Sequence, residues 1–203
     1  MLLDFNQLVK KYNMNIKGII HIGGHYGEEH SLYKQNNIKN ITYFEPLKSN
    51  FEVLKNNVKD EALLYNFALG NDECEVEMNV ETANNGQSSS ILEPDLHLLQ
   101  YPSIIFDKKE TVQMRKLDNV GLENNYNFIN IDVQGYELEV FKGAENTLKN
   151  IDYIISEINR ADVYKNCAKI EELCNFLGRF GFKLVEENWL GQTWGDGLFI
   201  KRF

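Results

Sequence analysis

Residues 18–30 read GIIHIGGHYGEEH, and this stretch decides the fold. Three isoleucines around His21 run straight into paired glycines, as a strand buried on both faces does. Glycine lets the backbone turn tightly and approach a ligand. The helix that follows, expected from about Tyr26 to Gln35, opens with N–H groups that have no partner inside it. From Gly23 to Gly27, with Gly24 between, the spacing is G-x-x-x-G and not the G-x-G-x-x-G of a pyrophosphate loop.

On either side the chain alternates strand with helix. Before it, Asp4 is placed to cap a short helix over 4–13. After it, NITYFEP is a strand stopped by Pro46, and Leu47 to Val58 a helix with Phe51, Leu54 and Val58 on one face. ALLYNFAL reads as a third strand, CEVEMNV as a half-exposed one, and TVQMR as another short one. NFINID is the fourth core strand, YELEVFKGAENTLKN a helix, DYIISEIN the fifth strand and IEELCNFLGRF a helix ended by Gly181. The tail, GFKLVEENWLGQTWGDGLFIKRF, holds two strands joined by a loop too short for a crossover helix, so they pair antiparallel. The order argues for a parallel α/β sheet with helices on both faces and a terminal hairpin.

The 203 residues carry 21 basic and 30 acidic side chains, a net charge of −9. Such a surface disfavours nucleic acid as a partner. No run of apolar residues is long enough to span a membrane, and Asp4 interrupts any signal-peptide pattern, so the expected location is cytoplasmic. Only three prolines occur, none in a linker, so one domain over 1–203 is expected. Cys74, Cys167 and Cys174 have no metal-ligand spacing; the last two read as reduced residues on one helix near the core. With 25 asparagines in the chain, an Asn at any interesting position carries little weight by itself.

In doubly wound sheets ligands bind at the carboxyl ends of the strands. Standing there, besides the glycine turn, are Glu45, Asp132 and Glu157. Glu45 lies 18 positions past Gly27, where a carboxylate accepts both hydroxyls of an adenosine ribose. Asp132 ends an apolar run, and an acid there is rarely buried without a partner. A glycine turn without room for pyrophosphate, a ribose carboxylate and Asp132 define a nucleoside pocket that favours S-adenosylmethionine over a dinucleotide.

Six segments, IIHIGGHYGEE, FEPLKSNFEVLKNN, NFALGN, NNGQSSSIL, VQMRKLD and INIDVQGYELEVFKGAENTL, carry a likeness over roughly residues 17–160. The chain resembles the FkbM family of S-adenosylmethionine-dependent methyltransferases. The resemblance implies an α/β, Rossmann-like class I methyltransferase fold: a seven-stranded, mostly parallel sheet with an antiparallel last strand and helices on both faces. It also implies O-methylation of a hydroxyl on a sugar, glycan or related natural product. Gly23, Gly24, Gly27 and Glu28 then fall on the cofactor turn, Glu45 and Pro46 at the ribose, and Ala68 beside the adenine. Ser89, with Ser88 and Ser90, faces cofactor or substrate, and Asp132 lies near the sulfonium. Two positions depart from the commoner pattern: His21 replaces an acidic residue before the glycines, and Gln134 replaces the glutamate of D-V-E-G.

A sugar hydroxyl has a high pKa, so a base or a metal must deal with its proton. Asp132, Glu157 and His25 are the catalytic candidates. Asp132, Glu157 and Asn159, as oxygen ligands ending adjacent strands, would suit Mg²⁺. His25 reads equally as a packing residue of the turn, His30 as a surface residue, and His97 as part of a lid. Trp189 and Trp194 are either a sugar-stacking wall or hairpin packing. Acceptor choice is expected to lie in the 82–103 loop, the N-terminal helix and the tail loop. Two other classes compete: a nicotinamide-dependent oxidoreductase, which lacks its pyrophosphate turn here, and a non-catalytic nucleoside-binding module.

Overall fold

Asp4 accepts the Gln7 N–H at 3.1 Å and caps α1 (Phe5–Lys11), and Asn13, in the left-handed region, ends it; the helix is therefore shorter than the expected 4–13. The structure, a computed structural model, describes residues 1–201. β1 (Gly18–Ile22) follows, and α2 (His30–Gln35) begins four residues later than expected. Gly27, at φ +76°, bonds back to the Gly24 carbonyl and holds that stretch in turns. Then come β2 (Asn40–Phe44) and α3 (Lys48–Val58).

The run expected as a single third strand divides. β3 (Leu63–Tyr65) stays in the main sheet, while β4 (Ala68–Leu69) enters a second one. That second sheet is completed by β5 (Cys74–Glu81) and, after α4 (Leu96–Gln100), by β6 (Phe106–Arg115), which is twice the expected length. β7 (Phe128–Ile131), α5 (Glu137–Lys142), β8 (Tyr153–Asn159), α6 (Ile170–Gly178), β9 (Phe182–Leu190) and β10 (Trp194–Lys201) finish the chain. The main sheet has the order β3-β2-β1-β7-β8-β10-β9, all parallel except β10, which runs antiparallel between β8 and β9. This is the seven-stranded arrangement the resemblance implied. The second has the order β4-β6-β5.

α5 is half the length expected for 136–150. At Gly143 the backbone passes so close to Gly70 that a Cβ would sit 1.9 Å from the Gly70 carbonyl oxygen. Beyond it, Asp118 accepts the N–H groups of Asn146 and Thr147, both at 2.8 Å, and starts a separate 3₁₀ turn. Gly143→Ala should therefore cost ~1–3 kcal/mol by overpacking, seen as a melting temperature lower by several degrees. An unchanged melting curve would contradict that close approach.

Strand parity separates two cores. Ile20, Ile22, Ile129, Ile131, Ile154 and Phe199 face α5 and α6, while Ile19, Phe128, Ile155 and Leu198 face α1, α2 and α3. His21, Asn130, Glu157 and Asp196 are in step with the second set, so alternation puts four polar side chains on one side of the sheet. Cys167 precedes α6 instead of sharing it with Cys174. Burial pushes both thiols up, which keeps them protonated and unreactive. Among the described residues no helix is long and apolar enough to cross a membrane.

Candidate active site

The carboxyl ends of β1, β2, β7 and β8, with the 86–91 segment above them, enclose a cavity of about 310 Å³. Its base is a polar trio made by parity. Asn130 donates to the Tyr33 hydroxyl at 2.7 Å, and that hydroxyl lies 3.2 Å from His21 Nδ1. Burial pushes the His21 pKa down, so the imidazole is neutral and supplies no charge to the site.

Glu45, 5% exposed, stands at the end of β2. One carboxylate oxygen accepts the His25 N–H at 2.8 Å and the other the Leu47 N–H at 2.9 Å. Asn66 fixes the same corner by donating to the Glu45 and Pro46 carbonyls. Burial pushes the Glu45 carboxyl up to about 7, against the pull of those two N–H groups. Each oxygen still has room for one more donor, as a vicinal diol requires. Beside it Phe44, Phe67, Ala68, Leu69 and Met78 form an apolar wall of the cavity. Gly23, Gly24, Glu28, Pro46 and Ser89 line the same cavity, whereas Gly27 lies behind the turn, packed on Leu54 and Val58. A carboxylate with acceptor capacity left for a vicinal diol, next to an apolar slot, fits the adenosine of S-adenosylmethionine.

Because a diol donates to the ionised carboxylate, binding favours the form that burial opposes. Affinity for S-adenosylhomocysteine is therefore expected to rise up to tenfold per pH unit between about pH 5.5 and 7, then level off. Calorimetry across that range checks this. In Glu45→Gln the slope should vanish.

At the other end of the cavity Asp132, exposed, and Glu157, buried, lie within hydrogen-bonding reach of each other. Gln134 Nε2 spans them, donating to Asp132 Oδ1 at 2.6 Å and Glu157 Oε2 at 2.9 Å. Asn159 Nδ2 donates to Glu157 Oε1 at 3.2 Å, so Asn159 turns its amide nitrogen toward the carboxylate. The third acid close to the pair is Glu137, which the sequence did not single out. Burial, then the charges of Asp132 and Glu137, hold the Glu157 carboxyl well above its usual range. Burial pushes Glu137 up to about 7. Asp196, in register with Glu157 on β10, completes the acidic wall and accepts the Leu2 and Leu3 N–H groups.

His25 sits at the cavity edge with both ring nitrogens engaged, Nδ1 with Glu28 at 2.6 Å and Nε2 with the Asn85 carbonyl at 3.0 Å. It straps the glycine turn to the loop after β5. Burial pulls its pKa down, but the Glu28 carboxylate and the Asn85 carbonyl outweigh that and raise it. Ser89 accepts the Glu81 N–H, and Ser90 donates to the Gln134 carbonyl at 2.8 Å. His30 is half-buried against Tyr43 and Glu61, not a surface residue. His97 is buried among Tyr101, Phe106 and Tyr164, away from the cavity. Trp194 donates to the Tyr101 hydroxyl and Trp189 stacks under Arg160 at 3.6 Å, both as hairpin packing. Tyr164, fully buried, contacts the Ser88 carbonyl and Gln134 Oε1. It lies in a stretch, ADVYKNC, with no periodicity to mark it.

A profile of the methyltransferase FkbM domain matches residues 21–184, which hold both the glycine turn and the carboxyl pair. The chain belongs to the FkbM methyltransferase family. One relative of this FkbM protein, the 2-O-methyltransferase NoeI of Sinorhizobium fredii (strain NBRC 101917 / NGR234), is 32% identical over 97 residues. That match covers 46% of this chain and 40% of NoeI, so the chain is matched to well under half of that relative's length. Among solved structures, Streptococcus pneumoniae Sp1610 superposes with a TM-score of 0.56 at 14% identity, over 99% of this chain and 71% of that one. M. capricolum TrmK in complex with S-adenosyl-homocysteine gives 0.53 at 12% identity, over 99% and 70%. At such identities these two show the fold alone, that of class I methyltransferases.

Proposed function

We propose that this FkbM protein is an S-adenosylmethionine-dependent O-methyltransferase acting on a hydroxyl of a sugar or related natural product, in the cytoplasm, with residues 1–203 as one domain. The observation that carries this is the Asp132–Glu157 pair beside a cavity that fits the cofactor's adenosine. A buried carboxyl held well above the usual carboxylate range beside a second one suits proton exchange with an acceptor hydroxyl.

When bound, the cofactor supplies an electrophilic methyl group on a sulfonium. The walls of the cavity would align the acceptor oxygen with that methyl group for in-line transfer. The hydroxyl proton passes to the Asp132–Glu157 pair and from there to water through the exposed Asp132. Gln134 holds the pair in place by its two N–H bonds, and His25 fastens the cofactor turn, both of its nitrogens being occupied. The likeness to NoeI, a 2-O-methyltransferase, supports an oxygen as the methyl acceptor, and the acidic wall disfavours a phosphorylated one.

The test is to incubate the protein with methyl-labelled S-adenosylmethionine and a panel of neutral glycosides, and to follow the label by mass spectrometry. Label on a sugar oxygen is expected. Label on a nitrogen acceptor alone would refute O-methylation, and tight cofactor binding with no transfer would favour the binding-module reading.

A further inference from the structure

We propose that Asp132, Glu137 and Glu157 hold one hard divalent cation, Mg²⁺ or Mn²⁺, at the acceptor end of the cavity. This deepens the O-methyltransferase reading, since a cation there lowers the pKa of a hydroxyl bound against it. The binding itself stands on separate observations.

One oxygen from each of the three carboxyls lies within 4.8 Å of the others. Glu137 and Glu157 are buried and Asp132 is open to the cavity, which gives a route in. Among the described residues no lysine, arginine or histidine forms an ion pair with any of them. Like charges so close in a site of low dielectric are relieved either by protonation or by a bound cation.

Hydrogen-bond bookkeeping points the same way. Glu137 Oε1 accepts the Val133 and Gly135 N–H groups, but Oε2, fully buried, has no partner. Asn159, also fully buried, gives its Nδ2 to Glu157 while its Oδ1 has no partner. Two buried acceptors thus lack a donor beside three acids, an arrangement native interiors avoid.

The third sign is a shortage of protons at Tyr164. Its hydroxyl has one hydrogen for two acceptors, the Ser88 carbonyl at 2.7 Å and Gln134 Oε1 at 2.8 Å. In the cation-bound state, a half-turn of the Gln134 amide away from the arrangement described above resolves this: Nε2 then donates to the Tyr164 oxygen, and the Tyr164 proton goes to Ser88. The same half-turn brings Gln134 Oε1 against Asp132 Oδ1 and Glu157 Oε2. A cation between them makes that oxygen-to-oxygen contact favourable. The resulting donor set is all oxygen, the preference of Mg²⁺ and Mn²⁺ and not of Zn²⁺.

The full chain, freed of cofactor, is titrated with Mn²⁺ alone and followed by electron paramagnetic resonance. One bound Mn²⁺ is expected, undisturbed by S-adenosylhomocysteine. Glu137→Gln, which keeps an oxygen for Val133 and Gly135, should weaken binding roughly tenfold or more, as loss of a ligand does. Asn159→Asp adds a charge and should tighten it, a gain no purely structural role produces, with circular dichroism confirming the fold of each variant. Absence of bound Mn²⁺, or binding indifferent to both substitutions, overturns the site. Displacement by S-adenosylhomocysteine overturns it too, because the carboxyls would then be holding the cofactor's ammonium. Methyl transfer is not measured here, so losing the cation site leaves the proposed reaction standing. Bound Mn²⁺ with no transfer to any glycoside would defeat the reaction alone.

Discussion

Glu157→Gln should lower the rate of methyl transfer by roughly 10²–10⁴, the usual contribution of a positioned proton acceptor, while leaving S-adenosylhomocysteine affinity nearly unchanged. The substitution keeps the side chain's size and one acceptor oxygen, so one of the two N–H contacts from Asn159 and Gln134 survives and the volume packed around β8 is unchanged. It removes the proton-accepting oxygen of the buried partner and leaves Asp132 without it. Single-turnover rates and calorimetry on the same preparation separate the two effects. A rate loss matched by an equal loss of cofactor affinity would move Glu157 out of the reaction and into the cofactor's binding site.

The second large effect belongs to Glu45→Ala. It removes a charged acceptor of two ribose hydroxyls and the partner of the His25 and Leu47 N–H groups. Charge-assisted bonds of this kind are worth ~1.5–3 kcal/mol, so S-adenosylhomocysteine should bind roughly 10- to 150-fold more weakly. NADH, titrated in parallel, should not bind measurably to either protein. Cofactor affinity indifferent to Glu45 would mean that the adenosine lies elsewhere, and the reading of the glycine turn would fall with it.

Much of this fold was legible in advance because buried parallel strands announce themselves. GIIHI, NITYF, FINI and YIISEIN are short, mostly apolar runs buried on both faces, the pattern of strands inside a parallel sheet. The second sheet was harder to read. β4 is two residues long, and the first half of β6, FDKKE, is charged and exposed, so neither shows the alternation by which a strand is recognised. Helix lengths failed where packing overrode propensity: Gly143 had to pass Gly70, and Gly27 had to turn, and each shortened a helix whose pattern continued beyond it. Glu45, Asp132 and Glu157 were visible because strand ends are where chemistry gathers. Gln134 was visible only as a departure from D-V-E-G, and Glu137 and Tyr164 were not visible at all. Their roles depend on which side chains meet across the cavity, a distance of many residues in sequence.

The position of β10 has a consequence for how the chain is made. Its Leu198 and Phe199 are fully buried in the interior of the sheet, and β8 has no partner on that side until they arrive. At the other end, the Leu2 N–H bonds to Asp196, the Leu2 carbonyl accepts from Asn188, and Tyr12 donates to the Val185 carbonyl. Residues 2–12 therefore wait for residues 185–196 to be made. During synthesis the nascent chain carries an open, apolar strand edge, which is an invitation to wrong pairing. A nonsense codon between Arg160 and Trp194 would leave that edge exposed permanently, and the product should be insoluble even though every residue of the glycine turn and the carboxyl pair is present.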